Sequence, residues 1–163
     1  MRSIVLGIIC MFLFIHNLYA QSFPTYGMFV CSGGKYNGKD VSEEIISQGT
    51  GIAFYQDEEF LWILFSFAKN NSSKMGTVTC LEKEEYPETV REYRKKVYNF
   101  IGIFHNGNNI ENTICSVTQI FKPNNLIRVS LVIKREGDNG IEEMEYNGTV
   151  NKEMNWDKFL FTP

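Results

Sequence analysis

From Gly51 onward the chain alternates short apolar runs with tight polar turns, and this rhythm restricts the fold more than any other feature. Gly51 to Tyr55 and Phe60 to Ala68 flank the hairpin-length loop Gln56-Asp57-Glu58-Glu59. Met75 to Leu81 follows the polar stretch Asn70 to Lys74, and Val97 to His105 and Asn112 to Phe121 flank Asn106-Gly107-Asn108-Asn109. Lys122-Pro123-Asn124-Asn125 and Gly137-Asp138-Asn139-Gly140 turn the chain into Leu126 to Lys134 and Ile141 to Tyr146. Such runs read as strands of an antiparallel meander of six or seven. Phe60 to Phe67 is apolar on both faces, which predicts a central strand covered on both sides. In the last run Met144 and Tyr146 share a face opposite Glu143 and Glu145.

Two segments break the rhythm. Tyr26 to Cys31 is a short extended element ending in Ser32-Gly33-Gly34. Asp40 then suits a helix N-cap with Glu43 completing a capping box, Val41, Ile45 and Ile46 share a face, and Gly49 supplies a left-handed stop. The spacing predicts a helix over about 41–48, too short to stand without packing. The second segment is Glu84 to Lys96. Pro87 suits a first helical turn, acids cluster early and bases late, and Val90, Tyr93 and Val97 recur at helical spacing, which predicts a second short helix near 87–96.

At the N-terminus, Arg2 precedes an apolar run from Ile4 to Ile15 and a small residue at Ala20, the order of a secretory signal peptide over residues 1–20. Its removal leaves a single domain over residues 21–163, secreted, with no membrane segment, and shifts the net charge from −3 to −4. The balance excludes a globally basic nucleic-acid binder. Three cysteines remain, Cys31, Cys80 and Cys115, enough for one bridge and one spare thiol. Sequons stand at Asn70, Asn71 and Asn147.

Chemistry-bearing residues are sparse. Outside the leader there is one histidine, His105, and no paired Cys/His spacing, so neither a metal nor a cofactor is expected. Phosphodiester cleavage needs a base, an acid and a cation. Glu143 or Glu145, His105 and Arg128 supply these types, but nothing in their spacing brings them together, and no catalytic residue is assigned. The run Arg91, Tyr93, Arg94, Lys95 and Lys96 interleaves cations with aromatics, as single-stranded RNA binding does. The competing reading is a solvated face balanced by Glu84, Glu85, Glu88 and Glu92.

Phe29-Val30-Cys31, about ten residues beyond the leader and followed by Gly33-Gly34, Tyr36 and the short helix, resembles the secreted effectors of powdery mildew fungi, which carry an aromatic-x-Cys motif at the mature N-terminus. The resemblance implies an α+β, ribonuclease-like fold of the small T1 type, with the helix packed on an antiparallel sheet. It implies that Cys31 pairs with a later cysteine, for which Cys115 is preferred over Cys80. It also implies a monomeric virulence protein without catalytic activity, secreted and translocated into plant cells, that binds host protein or RNA, and neither DNA nor membrane, to suppress immunity. The alternatives are an active secreted ribonuclease and a generic secreted binding protein of a parasite, lipocalin-like, whose helix would follow the strands rather than precede them.

Overall fold

The computed structural model describes residues 25–57, 60–106 and 109–161. The expected signal segment 1–20 lies outside them. The chain forms β1 (Thr25–Tyr36), the two-residue β2 (Lys39–Asp40), α1 (Ser42–Gln48), β3 (Thr50–Gln56), β4 (Leu61–Phe67), β5 (Ser72–Tyr86), β6 (Lys95–Asn106), β7 (Asn109–Phe121), β8 (Ile127–Gly137) and β9 (Gly140–Val150). Consecutive strands from β3 to β9 pair antiparallel, and β1 pairs with β3 through Thr25–Val30 and with β9 through Cys31–Tyr36. The result is a closed eight-strand barrel with β2 as a stub on its rim.

This corrects the α+β, ribonuclease-like expectation. The strand runs do form an antiparallel meander, but the first and last strands meet. The reason lies in β1, which bulges between Cys31 and Gly33 and there changes partner. Gly34 and Gly148 make the contact possible. A Cβ at Gly34 would overlap the carbonyl oxygen of Glu145, and one at Gly148 would stand 2.5 Å from Phe29 and 2.7 Å from the Val30 carbonyl oxygen. Closure removes the sheet edges that an open sheet would have to protect.

Alternation along each strand then sends one phase inward. Phe29, Cys31, Ile52, Phe54, Ile63, Phe65, Val78, Cys80, Phe100, Cys115, Val117, Val129 and Leu131 are all buried there. The aromatic-x-Cys motif is thus two consecutive inward positions of β1, while Val30 between them is exposed. β4 obeys the same rule, contrary to the expectation of a strand covered on both faces. Leu61, Ile63 and Phe65 are buried, whereas Trp62 and Leu64 are half-buried on the outer wall, where the Trp62 indole donates to Asp57 at 2.6 Å and stacks on Tyr55.

The first helix forms where expected and ends at Gly49 in the left-handed conformation, φ 63°. The capping box does not form. Val41 occupies the N-cap, and Asp40 instead accepts from the Ser42 amide at 2.8 Å. The helix expected near 87–96 is absent. Val90 is fully exposed, so the apolar stripe has no face to bury, and Lys96, Tyr98 and Phe100 instead share the inward strand phase of β6. The intervening turn is held by Thr89, whose amide donates to the Glu92 carbonyl at 2.8 Å.

One end of the barrel is sealed by the segment after β9. Trp156 is fully buried among Phe54 (ring centroids 4.8 Å), Tyr98 (5.0 Å) and Phe100 (5.6 Å). Gln119 brackets the strap from inside, donating to the Met154 carbonyl at 2.7 Å and accepting from its amide at 2.8 Å. Asp157 accepts from Tyr98 at 2.7 Å and pairs with Lys83 at 3.0 Å.

Cys31, Cys80 and Cys115 are free thiols inside the barrel, and no pair of them lies at disulfide distance, so the expected Cys31–Cys115 bridge is not formed. Burial pushes Cys31 up to about 12 and Cys80 and Cys115 to about 11, from an ordinary 9.0. Because these thiols keep their protons more tightly when folded, the stability they contribute is complete below pH 9 and falls as pH climbs toward 12. Denaturant midpoints should therefore be lower at pH 10.5 than at pH 8, and at pH 8 a thiol reagent should label these cysteines only as the protein unfolds. Fast labelling of the native protein would place the thiols outside the core.

Candidate functional site at the open barrel mouth

Opposite the Trp156 seal the barrel opens onto a cavity of about 140 Å3. Its apolar walls come from inward positions near the strand ends: Phe65 on β4, Phe104 on β6, Ile133 on β8 and Tyr146 on β9. Phe65 is the centre of this set, 5.9 Å from Phe104 and 5.4 Å from Tyr146 between ring centroids. Burial pushes the Tyr146 phenol up to about 12, and its hydroxyl has no hydrogen-bond partner among the described residues.

A chain of alternating charges lines the lip. Lys74 on β5 pairs with Glu111 on β7 at 3.2 Å, Glu111 with Arg135 on β8 at 3.0 Å, and Arg135 with Glu142 on β9 at 2.9 Å. Hydrogen bonding to Glu142, followed by Glu111, raises Arg135 above even its usual value. The Lys74 ammonium also stands 5.8 Å from the Phe104 ring centroid. Two cations and two carboxylates thus neutralise one another at the edge of an aromatic cavity. These pairs are partly exposed, so their part in stability is small.

α1 lies across the β1–β9 side of the same mouth. Ile45 is its only buried residue, and the Gly34 amide donates to the Ser42 hydroxyl at 3.1 Å. Under the helix lies a second crevice of about 270 Å3, bounded by Val41, Ile45, Glu44 and Gln48. Tyr36, Met144 and Tyr146 line both spaces.

The residues singled out from sequence fall elsewhere. Glu143 pairs with Lys134 at 3.0 Å, and Glu145 faces Lys35 at 3.9 Å. Arg128 is paired across β8–β9 with Thr149, six positions from the Lys134–Glu143 pair, or about 20 Å along the strand. His105 joins the β6–β7 ladder opposite Ile110. The set does not converge.

The basic run is spent internally. Lys96 sits between Glu85 (3.0 Å) and Glu153 (2.6 Å). Arg94 pairs with Glu153 at 3.2 Å and covers Phe121. Lys95 lies over Tyr86 and Lys122 over Tyr93, while Arg91 is exposed on the 87–94 turn. Among the sequons, Asn70 and Asn71 are exposed in the short turn after β4, while Asn147 lies within β9, half-buried, donating to Glu145 at 2.9 Å.

The mouth residues were missed in the sequence, although a signal was present. On β8 Val129, Leu131 and Ile133 share the inward phase, and the next residue of that phase is Arg135. On β7 Cys115 and Val117 share theirs with Glu111 and Thr113. A charge continuing an apolar phase at a strand end marks the rim of a barrel. Comparison with known protein families, with curated proteins and with solved structures finds no match.

Proposed function

We propose that this protein is a secreted binding protein, not an enzyme, which holds a small, neutral aromatic alcohol in the mouth of its barrel. The observation that carries the reading is a barrel plugged at one end by Trp156 and open at the other onto an aromatic cavity with a self-neutralised lip. Eight-strand barrels are just wide enough to be filled by side chains or to hold one small ligand. Here the two cases occupy opposite halves of one interior.

Volume sets the ligand's size. An engineered apolar cavity of about 150 Å3 takes benzene, so 140 Å3 suits one six-membered ring. The lip sets its polarity. A charged ligand would have to break a link of the chain from Lys74 to Glu142, whereas a hydroxyl can share these groups and the Tyr146 phenol without displacing any. The host-directed effector expectation draws on the Phe29-Val30-Cys31 motif and the leader, and of what it implies the barrel replaces the ribonuclease-like scaffold.

Titration of the secreted protein with phenol, benzylamine and benzoate tests the reading by calorimetry and by shifts of aromatic side-chain resonances. Phenol should bind with a dissociation constant on the order of 0.1–1 mM, as a seven-atom fragment does, and should shift Phe65, Phe104 and Tyr146. Benzylamine and benzoate should bind more weakly. Phe65→Trp, which fills the cavity, should abolish phenol binding. Absence of phenol binding, or stronger binding of either ion, overturns the proposal.

A further inference from the structure

We infer that Met144, with Tyr36, is the partition that limits the length of ligand the mouth accepts, an inference that rests on the small-ligand reading above. The ring cavity of about 140 Å3 and the crevice of about 270 Å3 under α1 are separate spaces, yet three residues belong to both walls. Tyr146 is held in the aromatic cluster with Phe65. Met144 and Tyr36 face each other across the β1–β9 ladder, where Met144 is half-buried and Tyr36 exposed. Methionine is unbranched and adapts its shape to the gap it fills, so the side chain best able to yield stands between the two spaces.

The far side of the partition suits a hydrocarbon chain. Val41 and Ile45 supply an apolar floor, and Glu44 and Gln48, hydrogen-bonded to each other at 3.2 Å, stand at its edge. A ring in the mouth carrying a short substituent fits on its own side of Met144. A longer substituent reaches the crevice only where Met144 is truncated or displaced. Removal of its side chain therefore opens that one wall of the cavity toward the crevice and leaves Phe65, Phe104, Tyr146 and the charged lip in place.

A series of phenol, 4-ethylphenol, 4-butylphenol and 4-hexylphenol, titrated by calorimetry into the secreted protein, tests this. With the unmodified protein, affinity should stop rising after 4-ethylphenol. With Met144→Ala it should keep rising through 4-hexylphenol by about tenfold for each added pair of methylenes. Met144→Leu should keep the original ceiling. Tyr36→Ala, at an exposed position, opens the partition from β1 and should show the same extension as Met144→Ala, should the latter fold poorly. An unchanged ceiling in both truncations, with phenol still bound, overturns the inference and leaves the site reading standing. Failure of the unmodified protein to bind phenol or 4-ethylphenol overturns both.

Discussion

Trp156→Ala should cost about 3–5 kcal/mol, the range for truncating a large buried aromatic, and lower the melting temperature by about 10 °C or more for a domain of this size. The loss is a large share of the 5–15 kcal/mol that a typical domain possesses. It is expected to be large because Trp156 is the largest side chain that the strap after β9 buries in the closed end of the barrel. Three aromatic rings, Phe54, Tyr98 and Phe100, pack against it at once and lose that shared partner together. The walls are hydrogen-bonded strands that cannot collapse inward, so the cavity remains. The indole N–H makes no hydrogen bond among the described residues, so Trp156→Phe forfeits volume only and should recover much of the loss.

Urea denaturation followed by the far-ultraviolet signal measures this. Phenol binding to the folded fraction should be unchanged, because the mouth residues Phe65, Phe104 and Tyr146 share no ring contact with Trp156. A loss below about 1 kcal/mol would mean that the strap after β9 does not occupy the barrel. Loss of phenol binding in the folded variant would instead mean that the two ends are coupled.

The strands and the first helix were readable because their causes are local. Alternation gives β7 and β8, and Gly49 ends α1 at the position where a residue without Cβ permits a left-handed turn. Closure was not readable in the same way. It depends on β1 meeting β9 more than a hundred residues later, and the local traces are a bulge and two glycines that also suit a turn. The position of the helix misled for a related reason. A helix that precedes the strands was expected to lie on a sheet, but α1 is a seven-residue cover at the mouth of a barrel. The tail carries no local signal: a lone Trp156 between Asn155 and Asp157 has no periodicity, and only the tertiary fold shows it buried. The basic run shows the same limit: Arg94, Lys95 and Lys96 look available in sequence, but the opposing strands and the tail bring partners to each.

Gly34→Ala should be the most damaging small substitution in the protein, at about 3 kcal/mol or more, the upper end for overpacking. The usual expectation has the opposite sign. Glycine in a strand is weak, and replacing it by alanine restricts the unfolded chain and stabilises by about 0.4–1 kcal/mol where the native conformation permits. At Gly34 the new methyl meets the carbonyl oxygen of Glu145, which is backbone of the paired strand β9 and cannot turn aside, and it stands 2.6 Å from the Cδ1 atom of Ile45. Relief requires β1 to separate from β9 or α1 to lift from the mouth. Gly51→Ala is the control, since its methyl would meet only the Ser66 hydroxyl at 3.0 Å, a rotatable group, and should change stability by less than about 1 kcal/mol. Amide exchange locates the damage: protection should fall first at Lys35, Tyr36, Glu145 and Tyr146, the ladder that closes the barrel, while β6 and β7 stay protected until global unfolding. An open sheet, such as a ribonuclease-like fold would have, places no strand against Gly34, so wild-type stability in Gly34→Ala would show that β1 and β9 do not meet. Destabilisation confined to that seam is the result that closure requires.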